Sequence, residues 1–452
     1  MTETAPPRTR RPSALAPNDG TRMAARRVLL PPGGAIDPFA LAGNDRILMA
    51  DAGRILVGVG TAVTIILPGG LAEPVDVDRA LAELAGLECD DRLPSGTSAL
   101  RAVLAFGALP FDRSAPAVLV VPASLYCRES DGAEWATVMD GPAETPDQVR
   151  ERLVAIAAAH QSGPSGPLST RVVPRSDNAT FEGAITAAVG AIRRSELTKV
   201  VLARRIDVTL DRAPDLASLL RRWRSLEPSG TLFSLPTSDG QFVGASPELL
   251  VERTGRQVRS RPLAGTTDRF PDASSPLPSE LLESAKDTEE HRLVVDAIRD
   301  ALVPWCAELT VPDRPELVHL HNLTHLGTVI DGTLKADSLR AMPSALHLAA
   351  LLHPTPAVGG VPRSAALDLI ARLEGGPRGP YAGPVGYLDG SGDGRFVVGI
   401  RAMTVAGRTA TLTAGVGVVS GSLPETERDE ADLKFMAVFD ALAPGTPFDS
   451  SG

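Results

Sequence analysis

The chain has 452 residues, 43% hydrophobic and 22% charged, so it can bury a large core and is not a disordered polymer. Its formal net charge of −10 argues against nucleic acid as a partner and obliges any anionic ligand to find local cations. The three cysteines (Cys89, Cys127, Cys306) follow no disulfide or zinc spacing, which suits a reducing cytoplasm. No apolar run approaches the ~18 residues of a membrane span, and the N-terminus lacks the apolar core of a signal peptide.

Residues 1–27, rich in Pro, Arg, Ala and Ser, read as a flexible basic tail, within which Met23 offers an alternative start. From 28 to about 140, short β-like runs (RILVGVG, AVTIILP, AVLVVPAS) accompany an Ala-rich helix near 79–86, with no chemical constellation. The stretch QSGPSGPLS at 161–169 reads as a connector. Phe181, Ile185, Val189 and Ile192 then keep helical spacing, ended by the polar turn Ser195-Glu196. Strands are expected in KVVLARRIDV, QFVGASPELLVER and QVRSRPLAGTT, a long helix over 279–303, and a hairpin over 386–401. A final strand, TATLTAGVGVV, leads through a glycine-rich bend to a last helix. Hairpin strands mixed with long helices predict an α+β fold. We expect one large layered domain of antiparallel sheets flanked by helices over 28–445, with a divergent part at 28–170, a motif-bearing part at 171–445 and a tail at 446–452.

Only four of the 45 basic residues are lysine: Lys199, Lys286, Lys335 and Lys434. Arg is flat and permanently charged, whereas Lys is a compact charge that can lose its proton when buried. Three of the four lie in dense polar motifs. In the last helix, Ser422 and Glu425 have capping-box spacing, with Pro424 in the first turn. Glu427, Glu430 and Lys434 fall on one face. A solvated Glu–Lys stripe has the same spacing, but here it continues into Ala437 and Ala441, which suit close packing. Asp287, Glu290 and His291 mark a matching face on the 279–303 helix. Two helices with two carboxylates each can hold a hard cation such as Mg²⁺, and equally can be unrelated exposed acid pairs.

Lys199 opens a strand, where it is either an edge-strand charge or, if buried beside cations, a base. Glu248 follows the constrained turn Gly-Ala-Ser-Pro, which would aim a carboxylate inward. Arg401 ends RFVVGIR beside a small Gly399 that would leave room for a bidentate carboxylate contact. His325 is either a satisfied core histidine or a hydrogen-bond donor to a ligand.

Eight motifs in order, KVVLAR, GASPELL, PLAGT, KDTEEH, LLHPTPAVGG, YAGPVGY, GIRAM and AGVGVV…ERDEADLK, resemble the chorismate-utilising enzymes, and within them the isochorismate synthases. The resemblance spans about 180–443 and implies a single layered α+β unit with the active site between its sheets. It further implies that Glu290 and Glu430 ligate Mg²⁺, with Asp287 and Glu427 supporting through water. Arg401 and Tyr381 would hold the enolpyruvyl carboxylate of chorismate. Lys434 and the backbone at Gly415 and Gly417 would support substrate carboxylates, and Gly265, Thr266 and His325 would line the ring. Lys199 would be the base for water attack at C2 and Glu248 the acid for the departing C4 hydroxyl. Asp287 departs from the Glu that many relatives carry.

Among relatives of this type, Lys199 favours water over ammonia as nucleophile. Ala264, where aminodeoxychorismate synthases carry a nucleophilic Lys, argues against a covalent intermediate. Ala357, where salicylate synthases tend to carry Thr, favours stopping at isochorismate, with the salicylate branch as the alternative. A catalytically silent subunit should have lost one of the key residues, and all are present. The resemblance also implies a monomer without an amidotransferase partner, and a product that feeds menaquinone, siderophore or salicylate synthesis.

Overall fold

The computed structural model describes residues 24–448, except 44, 99, 102, 141–143, 160–167, 270–277 and 337–341. Most of the expected N-terminal tail and connector therefore lie outside the described residues. Two edges of the expected domain move. Strand Ala24–Leu29, partly inside the segment read as a tail, pairs with Glu134–Met139. At the other end, Phe448 rests its ring 5.2 Å from Phe439.

Thirteen described strands build the first sheet. Its order runs Thr170–Pro174, Lys199–Leu210, Thr409–Val418, Ala402–Ala406, Gly240–Ser246, Thr231–Thr237, Ile47–Ala50, Arg54–Val59, Ser124–Glu129, Glu134–Met139, Ala24–Leu29, Glu88–Asp91, with Gly360–Val361 added beside Lys199–Leu210. All pairs are antiparallel except Ala24–Leu29 with Glu88–Asp91. A nine-stranded sheet and a three-stranded one (Leu263–Asp268, Leu323–Gly327, Glu316–His319) complete the β-structure. The expected α+β architecture of antiparallel sheets flanked by helices is what the chain adopts.

The two large sheets face each other across a shared core. Met49, Leu56, Trp135, Phe233 and Phe242 of the first meet Phe106, Val385, Tyr387 and Val397 of the second. Each such side chain, moved out of water, contributes about 1.5–3 kcal/mol. A second core lies under the helices Asn178–Arg193, Leu216–Leu226 and Pro424–Leu442, where Ile185, Val189, Trp223, Phe435 and Phe439 pack with Leu202, Leu412 and Val416. The helix Asn178–Arg193 forms where the Phe181/Ile185/Val189/Ile192 stripe predicts it, and Asp177 caps it by accepting from Thr180 N–H at 2.7 Å.

Three local expectations change. Ser422 does not cap the last helix: the N-cap is Leu423 without a side-chain bond, and the Ser422 hydroxyl instead accepts from Val419 N–H at 3.1 Å. The helix expected over 279–303 is a short 3₁₀ turn, Pro278–Leu282, followed by Ala285–Leu302, capped by Ser284. The strand of GRFVV stops at Val398, and Arg401 sits in the left-handed region (φ 50°) before Ala402–Ala406.

Candidate active site

Lys199 is not on an edge. Its strand is flanked by Gly360–Val361 and Thr409–Val418, and its side chain is 0% exposed. Gly360 is required here, because a Cβ would stand 2.2 Å from the Lys199 carbonyl oxygen. Lys199 Nζ lies 2.9 Å from Glu290 Oε1, an ion pair between the strand and the acidic helix Ala285–Leu302. Burial pushes the Glu290 carboxyl up, but the charges of Lys199, Lys434 and Lys286 outweigh it and leave the group below its ordinary value.

Glu248 occupies the step between the sheets, after Gly240–Ser246 of the first and before Leu249–Thr254 of the second. Val398 N–H donates to its carbonyl at 3.1 Å, and Ser246 Oγ accepts its own N–H at 3.3 Å, so the backbone is held on both sides. Glu248 is 2% exposed, and burial pushes its carboxyl up to about 8 against the pull of Lys199 and Arg401. Glu248 is therefore mostly protonated at neutral pH.

A second group of side chains converges on His325. Arg401 Nη2 donates to His325 Nε2 at 3.0 Å, and His325 Nδ1 lies 2.9 Å from the Gly265 carbonyl. Guanidinium only donates and a carbonyl only accepts, so the proton is on Nδ1. Burial and then Arg401 push this imidazole down to about 3, keeping it neutral. Thr266 Oγ1 stands 3.1 Å from the same Nδ1. Gly265 takes φ +71° at a bulge, where its missing Cβ would meet Asp287 Cβ at 3.1 Å. Arg401 Nε is buried with no hydrogen-bond partner among the described residues, leaving part of the guanidinium fork for a carboxylate. Gly399 does not make that room: a Cβ there would strike the Pro380 carbonyl at 2.8 Å and Phe242 at 3.1 Å. Its smallness serves backbone packing.

The two groups join at the strand Thr409–Val418. Lys434 Nζ donates to the Gly415 carbonyl at 2.7 Å and to Glu430, and the Tyr381 hydroxyl bonds to the Gly415 backbone. Burial pushes the Tyr381 phenol up to about 12, so it stays a neutral donor. At Gly417 a Cβ would lie 2.5 Å from Glu290 Oε1 and 3.3 Å from Lys199 Cε. Gly417→Ala is expected to displace the Lys199–Glu290 pair and lower turnover by roughly 10²-fold with little change in melting temperature. Steady-state kinetics beside a thermal melt would check this, and unchanged turnover would remove Gly417 from the site.

The acids on the two helices face a common region, and the closing helix Pro424–Leu442 turns its Glu–Lys stripe inward. Glu427 is 1% exposed. Burial and then Glu430 push its carboxyl up, and burial does the same to Asp287. Yet among the described residues no three histidine, cysteine or acidic side chains converge at metal-ligand spacing. The reason is visible: Glu290, Glu427 and Glu430 are each held by a lysine, Lys199, Lys286 and Lys434. The donors are hard carboxylate oxygens, and Glu427 Oε2 is buried with no hydrogen-bond partner among the described residues. This set fits a hard divalent cation that takes over from the lysines.

Three residues that matter here escape sequence reasoning, and for Lys286, whose motif the sequence singles out, the partner escapes it. Lys286 Nζ reaches Glu427 Oε1 at 3.3 Å. Buried Glu227 accepts from His321 N–H at 2.9 Å and lies near enough to Arg401 for each to perturb the other. Glu374 and Arg378, an i,i+4 pair, brace the lysine strand: Glu374 accepts from Ala203 N–H at 2.7 Å, and Arg378 donates to the Val201 carbonyl at 2.8 Å. The i,i+4 spacing in EGGPR was the available signal. His291 turns to Thr328, 2.7 Å away, rather than joining the acids.

Residues 98–443 match the family described as chorismate binding enzyme, and the chain belongs to that family. It is 41% identical over 371 residues to a Mycobacterium tuberculosis protein carrying the provisional name isochorismate synthase MenF, covering 78% of this chain and 90% of the relative. Isochorismate synthase DhbC of Bacillus subtilis is 34% identical over 390 residues, covering 84% of this chain and 91% of the relative. The solved structure of MenF, the menaquinone-specific isochorismate synthase of Escherichia coli, superposes with a TM-score of 0.73 at 26% identity, covering 93% of this chain and 94% of that one. The chain is thus an isochorismate synthase-like, chorismate-utilising enzyme of the isomerase type.

Proposed function

We propose that this enzyme converts chorismate reversibly to isochorismate in a Mg²⁺-dependent reaction and stops there. The observation that carries the reading is the pairing of two buried groups of opposite role, Lys199 and Glu248, close enough for the lysine charge to act on the acid. Glu248, mostly protonated at neutral pH, has a proton to give to the C4 hydroxyl as it leaves. Lys199 Nζ accepts the proton of the water that attacks C2. One proton taken and one returned leaves the isomerisation neutral overall.

Arg401, whose Nε has no hydrogen-bond partner among the described residues, and Tyr381 hold the enolpyruvyl carboxylate. Lys434 and the backbone at Gly415 and Gly417 support substrate carboxylates, while Gly265, Thr266 and His325 line the ring. Glu290 and Glu430, supported by Asp287 and Glu427, would hold Mg²⁺, which when bound polarises the ring carboxylate and stabilises developing charge. Among the described residues no helix is long and apolar enough to cross a membrane, and we take the enzyme to act in the cytoplasm as a monomer without an amidotransferase partner.

The test is chromatography of chorismate incubated with chelator-treated protein, with and without Mg²⁺. Isochorismate should form only with Mg²⁺ and without matching pyruvate. Salicylate with equimolar pyruvate would move the enzyme to the salicylate branch, and full turnover in chelator would remove the metal.

A further inference from the structure

Lys286 has no part in the chemistry above, and its position is unusual. It is the second residue of the helix Ala285–Leu302, where the positive end of the helix dipole disfavours a cation and favours an acid. In a chain that otherwise uses arginine almost throughout, a lysine stands here. Its side chain is 46% exposed, while the carboxylate it reaches at 3.3 Å, Glu427, is 1% exposed. Lys286 meets Glu427 Oε1, and the Ser422 side chain also acts on this carboxylate, while Oε2 is buried and has no close hydrogen-bond partner among the described residues. The other two lysines of the cluster are more deeply held. Lys199 is fully buried, and Lys434 is tied also to the Gly415 carbonyl at 2.7 Å. Lys286 alone combines a single carboxylate contact with a half-exposed stem that can swing into water. Arginine would clamp both oxygens and leave reluctantly; lysine makes one point contact.

We propose that Lys286 is a tethered counter-ion that holds Glu427 in the metal-free enzyme, yields it to an arriving divalent cation, and thereby sets the affinity for that cation. The inference rests on the reading of the four acids as a Mg²⁺ site. An ion pair this exposed limits the competition to roughly fivefold in apparent affinity. The effect should shrink as salt screens the pair.

The experiment is calorimetric titration of Mg²⁺ alone into metal-stripped wild type, Lys286→Met and Lys286→Arg. Lys286→Met should bind Mg²⁺ roughly fivefold more tightly than wild type, with the gap narrowing in high KCl. Lys286→Arg should bind no more tightly than wild type, which also guards against a Met variant that folds poorly. A Met variant that binds equally or more weakly, beside a wild type that binds, would overturn the counter-ion role and leave the metal reading intact. Absence of Mg²⁺ binding in all three proteins would overturn both.

Discussion

Lys199→Arg is expected to fold, keep a cation against Glu290 and bind substrate, yet form isochorismate at a rate lower by roughly 10²–10⁴-fold. The argument turns on the two jobs this side chain has. As a cation it balances Glu290 at 2.9 Å inside the protein, and removing it altogether would strand a largely buried carboxylate. As a base it must accept a proton from water, which a guanidinium does not do. Lys199→Ala removes both roles and should lose stability as well as turnover; Lys199→Arg removes only the second. Comparing melting temperature and single-turnover product formation for the two variants separates them. Near-normal turnover in the arginine variant would show that another group takes the proton.

Glu248→Gln should abolish most activity while making the protein more stable above neutral pH. Burial raises the Glu248 carboxyl from 4.5 to about 8 in the folded chain, so folding favours its protonated form. The stability linked to that proton is fully present below about 4.5 and is lost as pH rises through about 8. Glutamine has no proton to lose. Its advantage over wild type should therefore grow between pH 5 and pH 9, reaching up to about 5 kcal/mol when the wild-type acid is fully ionised. Denaturation at several pH values measures this directly. The same titration governs catalysis with the opposite appearance: wild-type turnover should fall as pH rises through about 8, because an ionised Glu248 cannot donate. A pH-independent stability difference would mean that the carboxyl is solvated.

Local order was readable wherever one periodicity dominated. The stripe through Phe181, Ile185, Val189 and Ile192 gives a helix with that face buried, and the Asp/Gly turn near 390 joins the strands Pro384–Asp389 and Gly394–Val398. What local pattern cannot carry is partnership across the chain. Lys199 looks like an edge-strand charge until Gly360–Val361 and Thr409–Val418 close on either side of it. Ser422 has the spacing of a cap, but the turn before the helix uses its hydroxyl for Val419 N–H. The glycine at 399 suggested room for a ligand, whereas the Pro380 carbonyl needs that space. The candidate residues themselves were legible because their motifs recur in order. Glu227, Glu374 and Arg378 were not, and for Lys286 the motif was legible but the partner was not, since each acts on a group far away in sequence: Lys286 on Glu427, Glu227 on Arg401, Glu374 and Arg378 on the lysine strand.

The place of Thr409–Val418 in the first sheet has a consequence for how the enzyme comes into being. This strand lies directly between Lys199–Leu210 and Ala402–Ala406, and through the latter it links Thr170–Pro174 and Lys199–Leu210 to every remaining strand of the sheet's main order. Until it emerges from the ribosome, the strand carrying Lys199 has no long partner on that side. The acids and Lys434 of the following helix are absent altogether. At synthesis rates of about 5–20 residues per second, that open edge persists for roughly ten to forty seconds. An unpaired strand with apolar Val200, Leu202 and Ile206 is a template for wrong pairing with another nascent chain. The chain should therefore be most prone to aggregate when translation stalls between Leu210 and Thr409.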